Sequence, residues 1–277
     1  MTLKLLQTLT LPGDPAKANE DALANSSSAA LVLDGATPLG SSLLPGSSDA
    51  AWIAQFGARR LMAHLNDGDA PKEALRNALD DAQKSFAGLA RGPVKEKWQT
   101  PCAAMMLAVE QGETIEFLWY GDCAALVAQG ESITVVGTAM EARHREAGRA
   151  RLVSQETKKS ATDREAFLPL LRASRNRINS GRNWLFSPDA RAASHVSHQT
   201  ENLAPGDLLL LASDGFLALA SDYGAYDLAG LMAAAKEKGL AALGEELRAI
   251  EAADPQGEKY ARFKSSDDAT ALLLEIS

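Results

Sequence analysis

Between Cys102 and Val136 the chain carries four apolar runs, CAAMMLAVE, TIEFLWYGD, ALVAQ and SITVV, punctuated by Gln111-Gly112 and Gly130. The gaps between them are tight turns. Parallel neighbours need a crossover of about a dozen residues or more, so these runs can pair only as antiparallel strands. A doubly wound parallel sheet is excluded for this stretch, and the rest of the chain has to be arranged around a meander. Further strands are predicted at the start (MTLKLLQTLTLPGD), at residues 29–33 (AALVL), at LLLLA after the Leu203–Asp207 turn, and at the end in ATALLLEI. Two helices fit between the second strand and the meander. Ile53, Phe56, Leu61 and Leu65 share one face of the first; Leu75, Ala78, Leu79, Ala82, Phe86 and Leu89 form the stripe of the second, which opens at Pro71. Two more helices are expected after Gly215, the second marked by Leu240, Leu243, Leu247 and Ile250. Residues 141–192 are polar and basic, with helical stretches at 141–152 and 163–173.

With 277 residues, 46% of them hydrophobic and 23% charged, one domain covering 1–277 is expected, with a basic insert at about 141–192. The apolar runs are far shorter than the ~20 residues that a bilayer requires. The N-terminus makes a poor signal peptide, so a cytoplasmic protein is expected. A net charge of −8 argues against nucleic-acid partners, which are held mainly through clustered Lys and Arg. That charge is unevenly spread: residues 142–191 hold 12 Arg and Lys against 5 Asp and Glu, a local +7 that leaves −15 elsewhere. Two cysteines, Cys102 and Cys123, lack zinc-site spacing and read as small core residues.

Three acids share one placement. Asp34 ends an apolar strand, Asp214 follows another, and Asp267 precedes a third. If those strands are neighbours, the carboxylates meet at one sheet edge, where repulsion and lost hydration are costly without cations. A donor set of carboxylates, carbonyls and water, without His or Cys, suits magnesium or manganese better than zinc.

Five motifs in order, Asn19-Glu20-Asp21, Val32-Leu33-Asp34-Gly35, Gly121-Asp122-Cys123, Gly206-Asp207 through Ser213-Asp214-Gly215, and Asp267-Asp268-Ala269-Thr270, resemble those of the metal-dependent PPM (protein phosphatase 2C) phosphatases. The resemblance spans nearly the whole chain. It implies an α+β fold, a four-layer αββα sandwich of two antiparallel sheets flanked by helix pairs. It also implies a serine/threonine phosphatase that acts on phosphorylated proteins through a metal-activated water. By similarity Asp34 would bridge two metal ions, Gly35 would lend its carbonyl, and Asp214 and Asp267 would hold one ion. Asp21 would act through water with Glu20 orienting the water network, and Asp122 would serve an additional ion. The chain carries no GxSxG elbow, HExxH, GxxxxGK[ST] or Cys-x5-Arg cradle, in keeping with a reaction that needs no protein nucleophile.

The chain departs from the family pattern in two places. Asp34-Gly35 is followed by Ala36-Thr37-Pro38 rather than further glycines, and Ala36 replaces the histidine that many relatives use as an acid. The arginine usual four residues before the Glu of the first motif is Ala16, with Lys17 beside it. Arg175, Arg177 and Arg182, and Lys17 itself, are candidates for the missing phosphate clamp. A haloacid-dehalogenase-like nucleophile is excluded because Val32 stands two residues before Asp34, where that chemistry needs an attacking carboxylate. The remaining alternative is a pseudophosphatase that binds phosphoproteins without turnover.

Overall fold

The computed structural model of the protein describes residues 1–138, 164–262 and 264–277. The elements run β1 (Leu3–Leu11), β2 (Asp21–Asn25), β3 (Ala29–Gly35), α1 (Asp49–Asn66), α2 (Pro71–Leu89), β4 (Ala103–Gln111), β5 (Thr114–Tyr120), β6 (Ala124–Gln129), β7 (Ser132–Gly137), α3 (Arg164–Arg175), β8 (Ser197–Asn202), β9 (Leu208–Ala212), α4 (Asp214–Ser221), α5 (Leu228–Glu237), α6 (Leu240–Ala253) and β10 (Ala269–Ile276). They form two five-stranded sheets, ordered β1-β10-β9-β6-β7 and β2-β3-β4-β5-β8. All recorded pairings are antiparallel. The α+β sandwich expected from the sequence is therefore the observed architecture, and the meander supplies strands to both sheets.

Strand periodicity explains the layering. On β3, Ala30 and Val32 face the seam between the sheets with Ala104, Met106 and Ala108 of β4; Leu209 and Leu211 of β9 and Leu272 and Leu274 of β10 meet them from the other sheet. The alternate residues Ala29, Leu31 and Leu33 turn outward against Ile53, Leu61, Leu75 and Leu79 of α1 and α2. Leu210, Leu126 and Leu273 do the same against α4, α5 and α6. Each central strand is thus apolar on both faces, and this is why the sequence shows unbroken hydrophobic runs there. Every buried leucine contributes about 1.5–3 kcal/mol. That layered burial gives the scaffold the rigidity needed to hold like charges together at its mouth.

Two local readings differ from the structure. Strands β2 and β8 were not legible in the sequence: β8, SHQTEN, is a mostly exposed edge strand beside β5, so no apolar face betrays it. Three helices, not two, lie between β9 and β10: α4 begins at Asp214 itself, and the turn at Gly224, with φ of 58°, separates it from α5. The helix expected at 163–173 is α3, whereas the one at 141–152 lies outside the described residues.

Candidate metal centre

The seam parity that buries Val32 also points Asp34 between the sheets, one step past the apolar core. Asp21 lies directly opposite it on β2. Two carboxylates paired across an antiparallel ladder repel each other. Asp122 sits where the chain leaves β5 of one sheet and enters β6 of the other. That passage uses Gly121, with φ of 69°, where a side chain would stand 2.8 Å from the Ala104 Cβ. Asp214 is the first residue of α4, immediately after β9, and Asp267 lies two residues ahead of β10.

These placements converge. Carboxylate oxygens of Asp34, Asp122 and Asp214 all lie within 4.8 Å of one another. That approaches the roughly 4.2 Å between opposite oxygens around a magnesium ion. Asp34, Gly35, Asp122, Asp214, Asp267, Arg175 and Lys264 line one cavity of about 270 Å³. Asp267 is engaged there by Lys264, whose Nζ donates to Oδ1 at 2.6 Å. Asp21 sits just behind, 4% exposed, accepting at Oδ2 from Ser213 Oγ at 2.8 Å. Its Oδ1 is buried with no hydrogen-bond partner. An orphaned buried oxygen next to a hard-oxygen donor set is what a site built for a divalent cation and its water shell would present. The residues fit magnesium or manganese.

Electrostatics point the same way. Burial, joined by the charges of Asp267 and Asp268 and opposed by the Ser213 hydrogen bond, pushes the Asp21 carboxyl up to about 8. Asp34 is held well above the usual carboxylate range by burial and then by Asp21, Asp214, Asp267 and Asp122. A folded-state pKa above the unfolded value means that between about pH 4 and 8 the folded chain holds protons that the unfolded chain has released. Stability of the metal-free protein should therefore fall as pH rises through that window. Asp254, drawn down to about 2 by backbone amides and Arg262 against the opposing effect of burial, titrates below the window. In EDTA the melting temperature should decline from pH 5 to 8, and saturating manganese should flatten or reverse the slope. Equal slopes with and without metal in a fluorimetric melt would contradict this.

The other residues singled out in the sequence have varied settings. Glu20 accepts from Ser48 Oγ at 2.5 Å, and that hydroxyl caps α1. Its backbone carbonyl takes the Gly35 amide at 2.9 Å, so Glu20 ties the start of α1 to the end of β3. Gly35 itself has no room for a side chain: a Cβ would lie 2.5 Å from the carbonyl oxygens of both Ala50 and Glu20. Lys17 pairs with Asp14 on the exposed surface and does not line the cavity. Arg175 does line it, and its Nη1 donates to the carbonyls of Ala36 and Thr37 at 3.1 and 2.9 Å, pinning the loop after Asp34-Gly35. Arg177 and Arg182 border a neighbouring groove of about 490 Å³ that shares Gly121, Asp122 and Leu185 with the metal cavity. Trp184, stacked on His195 with ring centroids 3.8 Å apart, forms one wall of that groove.

Two further residues have a part in this centre: one stands in the last motif beside Asp267 without being taken as a ligand, and the other escaped the sequence reading. Asp268, adjacent to Asp267, accepts the Gly13 amide at 2.7 Å and the Glu20 amide at 2.6 Å, and so clamps the N-terminal loop to the approach of β10. Lys264 is the other. Its only trace in the sequence is a lysine three residues before an acid, a spacing too common to signal anything.

Comparison with known proteins agrees with this fold. The structure resembles the Mycobacterium tuberculosis serine/threonine phosphatase PstP/Ppp (14% identity, all of both chains, TM-score 0.58). It also resembles the Staphylococcus aureus serine/threonine phosphatase Stp1 (16% identity, 100% of this chain and 98% of that one, TM-score 0.59). A third relative is the catalytic domain of the serine threonine protein phosphatase PstP in complex with two manganese ions (15% identity, 99% and 98% of the chains, TM-score 0.56). No match was found among curated proteins. The sequence profile described as protein phosphatase 2C matches residues 16–248, from the loop before Asp21 into α6. By that match and by its fold, the chain belongs to the protein phosphatase 2C family.

Proposed function

We propose that the protein is a metal-dependent phosphatase acting on phosphoserine and phosphothreonine in proteins. The observation that carries this reading is the meeting of Asp34, Asp122 and Asp214 within 4.8 Å, in a cavity that Asp267 also lines. Asp34, the Gly35 carbonyl, Asp214 and Asp267 would hold two ions of magnesium or manganese, with Asp21 acting through water and Asp122 serving an additional ion. When bound, such ions lower the pKa of a water and neutralise charge on the phosphoryl oxygens. The solved relative holding two manganese ions supports this choice.

The chain's own residues do the positioning. Arg175 keeps the Ala36–Thr37 loop against the cavity and itself lines the cavity that a phosphoryl group would enter. Arg177 and Arg182 flank the groove that leads there and suit the peptide around the phosphorylated residue. Ala36 has no proton to give, so the leaving alkoxide takes its proton from water. The two buried free cysteines fit a reducing compartment, and we place the protein in the cytoplasm in phosphoprotein signalling.

The test is turnover of p-nitrophenyl phosphate and a phosphothreonine peptide with manganese, with magnesium, and with EDTA. Turnover with metal and none in EDTA is expected. Metal binding without turnover would favour the regulatory, phosphoprotein-binding alternative that the Ala36-Thr37-Pro38 loop leaves open. Arg175→Ala should raise KM for the peptide by about tenfold, the value of one charge-assisted contact. Arg177→Ala and Arg182→Ala should cost less. Unchanged kinetics in all three would remove the arginines from substrate binding.

A further inference from the structure

We infer that Lys264 is a tethered cation that competes with the divalent ion at Asp267, so that the centre loads its two ions unequally; this rests on the metal reading above. The ammonium of Lys264 stands 2.6 Å from Asp267 Oδ1, inside the cavity that also holds Asp34 and Asp214. The other base lining that cavity among the described residues, Arg175, spends Nη1 on the carbonyls of Ala36 and Thr37. Among the described residues, Lys264 is the base that donates to an acid of the cavity. A lysine ammonium carries its charge at neutral pH, and this one donates directly to a carboxylate.

An ammonium and a dication cannot both crowd one carboxylate without strong repulsion. A metal ion held by Asp214 and Asp267 therefore has to displace Lys264, whereas the other ion, which Asp34 and the Gly35 carbonyl would hold, does not compete with that hydrogen bond. Displacement is mechanically simple. The Lys264 side chain is 37% exposed, leaving it a route to water. The loop beneath it is anchored by Arg262, which bonds the Asp254 carboxylate at 2.9 Å and the Ser265 carbonyl at 3.0 Å. The side chain can swing while the backbone stays. The consequence is one tight ion and one weak ion, with Asp267 contributing to the weak one and Lys264 setting its affinity.

The experiment is manganese titration of the full chain by calorimetry and by the loss of the free-ion electron spin resonance signal. It compares wild type with Lys264→Ala, Lys264→Met, Asp267→Asn and the Lys264→Ala/Asp267→Asn double variant. In both lysine variants the weaker dissociation constant should tighten about three- to tenfold, the stronger should hold, and the gap should narrow at high salt. In the Asp267→Asn background, Lys264→Ala should change nothing. Identical affinities in wild type and both lysine variants would overturn the inference while leaving the metal reading intact. So would a large fall of the EDTA melting temperature in those variants with unchanged affinity, which would mark the pair as structural. If no variant and no wild-type chain binds manganese, the metal reading itself fails.

Discussion

Asp34→Asn should lower metal-dependent turnover by about a thousandfold or more while leaving the metal-free protein at least as stable as wild type. The two halves of that expectation have one cause. Asp34 is the acid most surrounded by others: Asp21 faces it across the β2–β3 ladder, and Asp214, Asp267 and Asp122 add their charges. Without metal, replacing it with a neutral side chain of the same shape relieves repulsion, so the melting temperature in EDTA should hold or rise. With metal, the same change would withdraw a carboxylate that we propose helps to hold the ions. Their stabilisation of transition-state charge is worth several kcal/mol, and each 1.4 kcal/mol is tenfold in rate. Asp214→Asn should behave alike. A variant retaining full manganese-dependent turnover would end the phosphatase proposal, whereas a variant that simply unfolds in EDTA would contradict the crowding described here.

Gly215→Ala should be the most damaging single change at the mouth of the sandwich. Its backbone dihedrals suit any residue, so the cost is steric. A Cβ would fall well inside contact distance of the Asp268 carbonyl oxygen and 3.3 Å from the Asp267 Cβ. Gly215 is the second residue of α4, next to Asp214, and the clash would drive the start of α4 away from the approach to β10. Overpacking of this kind costs about 1–3 kcal/mol and occasionally more. A melting temperature lower by roughly 5–10 °C is expected. Manganese affinity should drop as well, because the push separates the segments carrying Asp214 and Asp267. Gly88→Ala is the control: it lies near the end of α2 with open space around it, and should be neutral or slightly stabilising. Equal melting curves for the two variants would disprove the close packing of α4 on the β10 approach.

Much of this centre can be read from the chain, and the unreadable parts have identifiable reasons. Asp34 and Asp214 are visible because each closes an apolar strand buried on both faces, and such strands announce their ends sharply. Adjacent acids are a different matter. Nothing in the order Asp267-Asp268 says which one turns inward; in the fold Asp268 is spent on the amides of Gly13 and Glu20, while Asp267 lines the cavity. Glu20 shows the same limit, since its motif suggests a place in the water network and its carboxylate is found on Ser48 at the cap of α1. Strand β8 is silent because an exposed edge strand needs no apolar side.

Local patterning was enough to determine the antiparallel meander, the helix stripes and the strand ends where acids stand. Hydrophobic period and turn chemistry are properties of neighbouring residues, so they survive in the linear chain. Only the tertiary structure decided that Asp21 lies opposite Asp34, that Asp122 joins them at the passage between the sheets, and that Arg175 and Lys264 enter the same cavity. Those are consequences of strand order and register, set by the packing of all four layers at once, and no short window of sequence contains them.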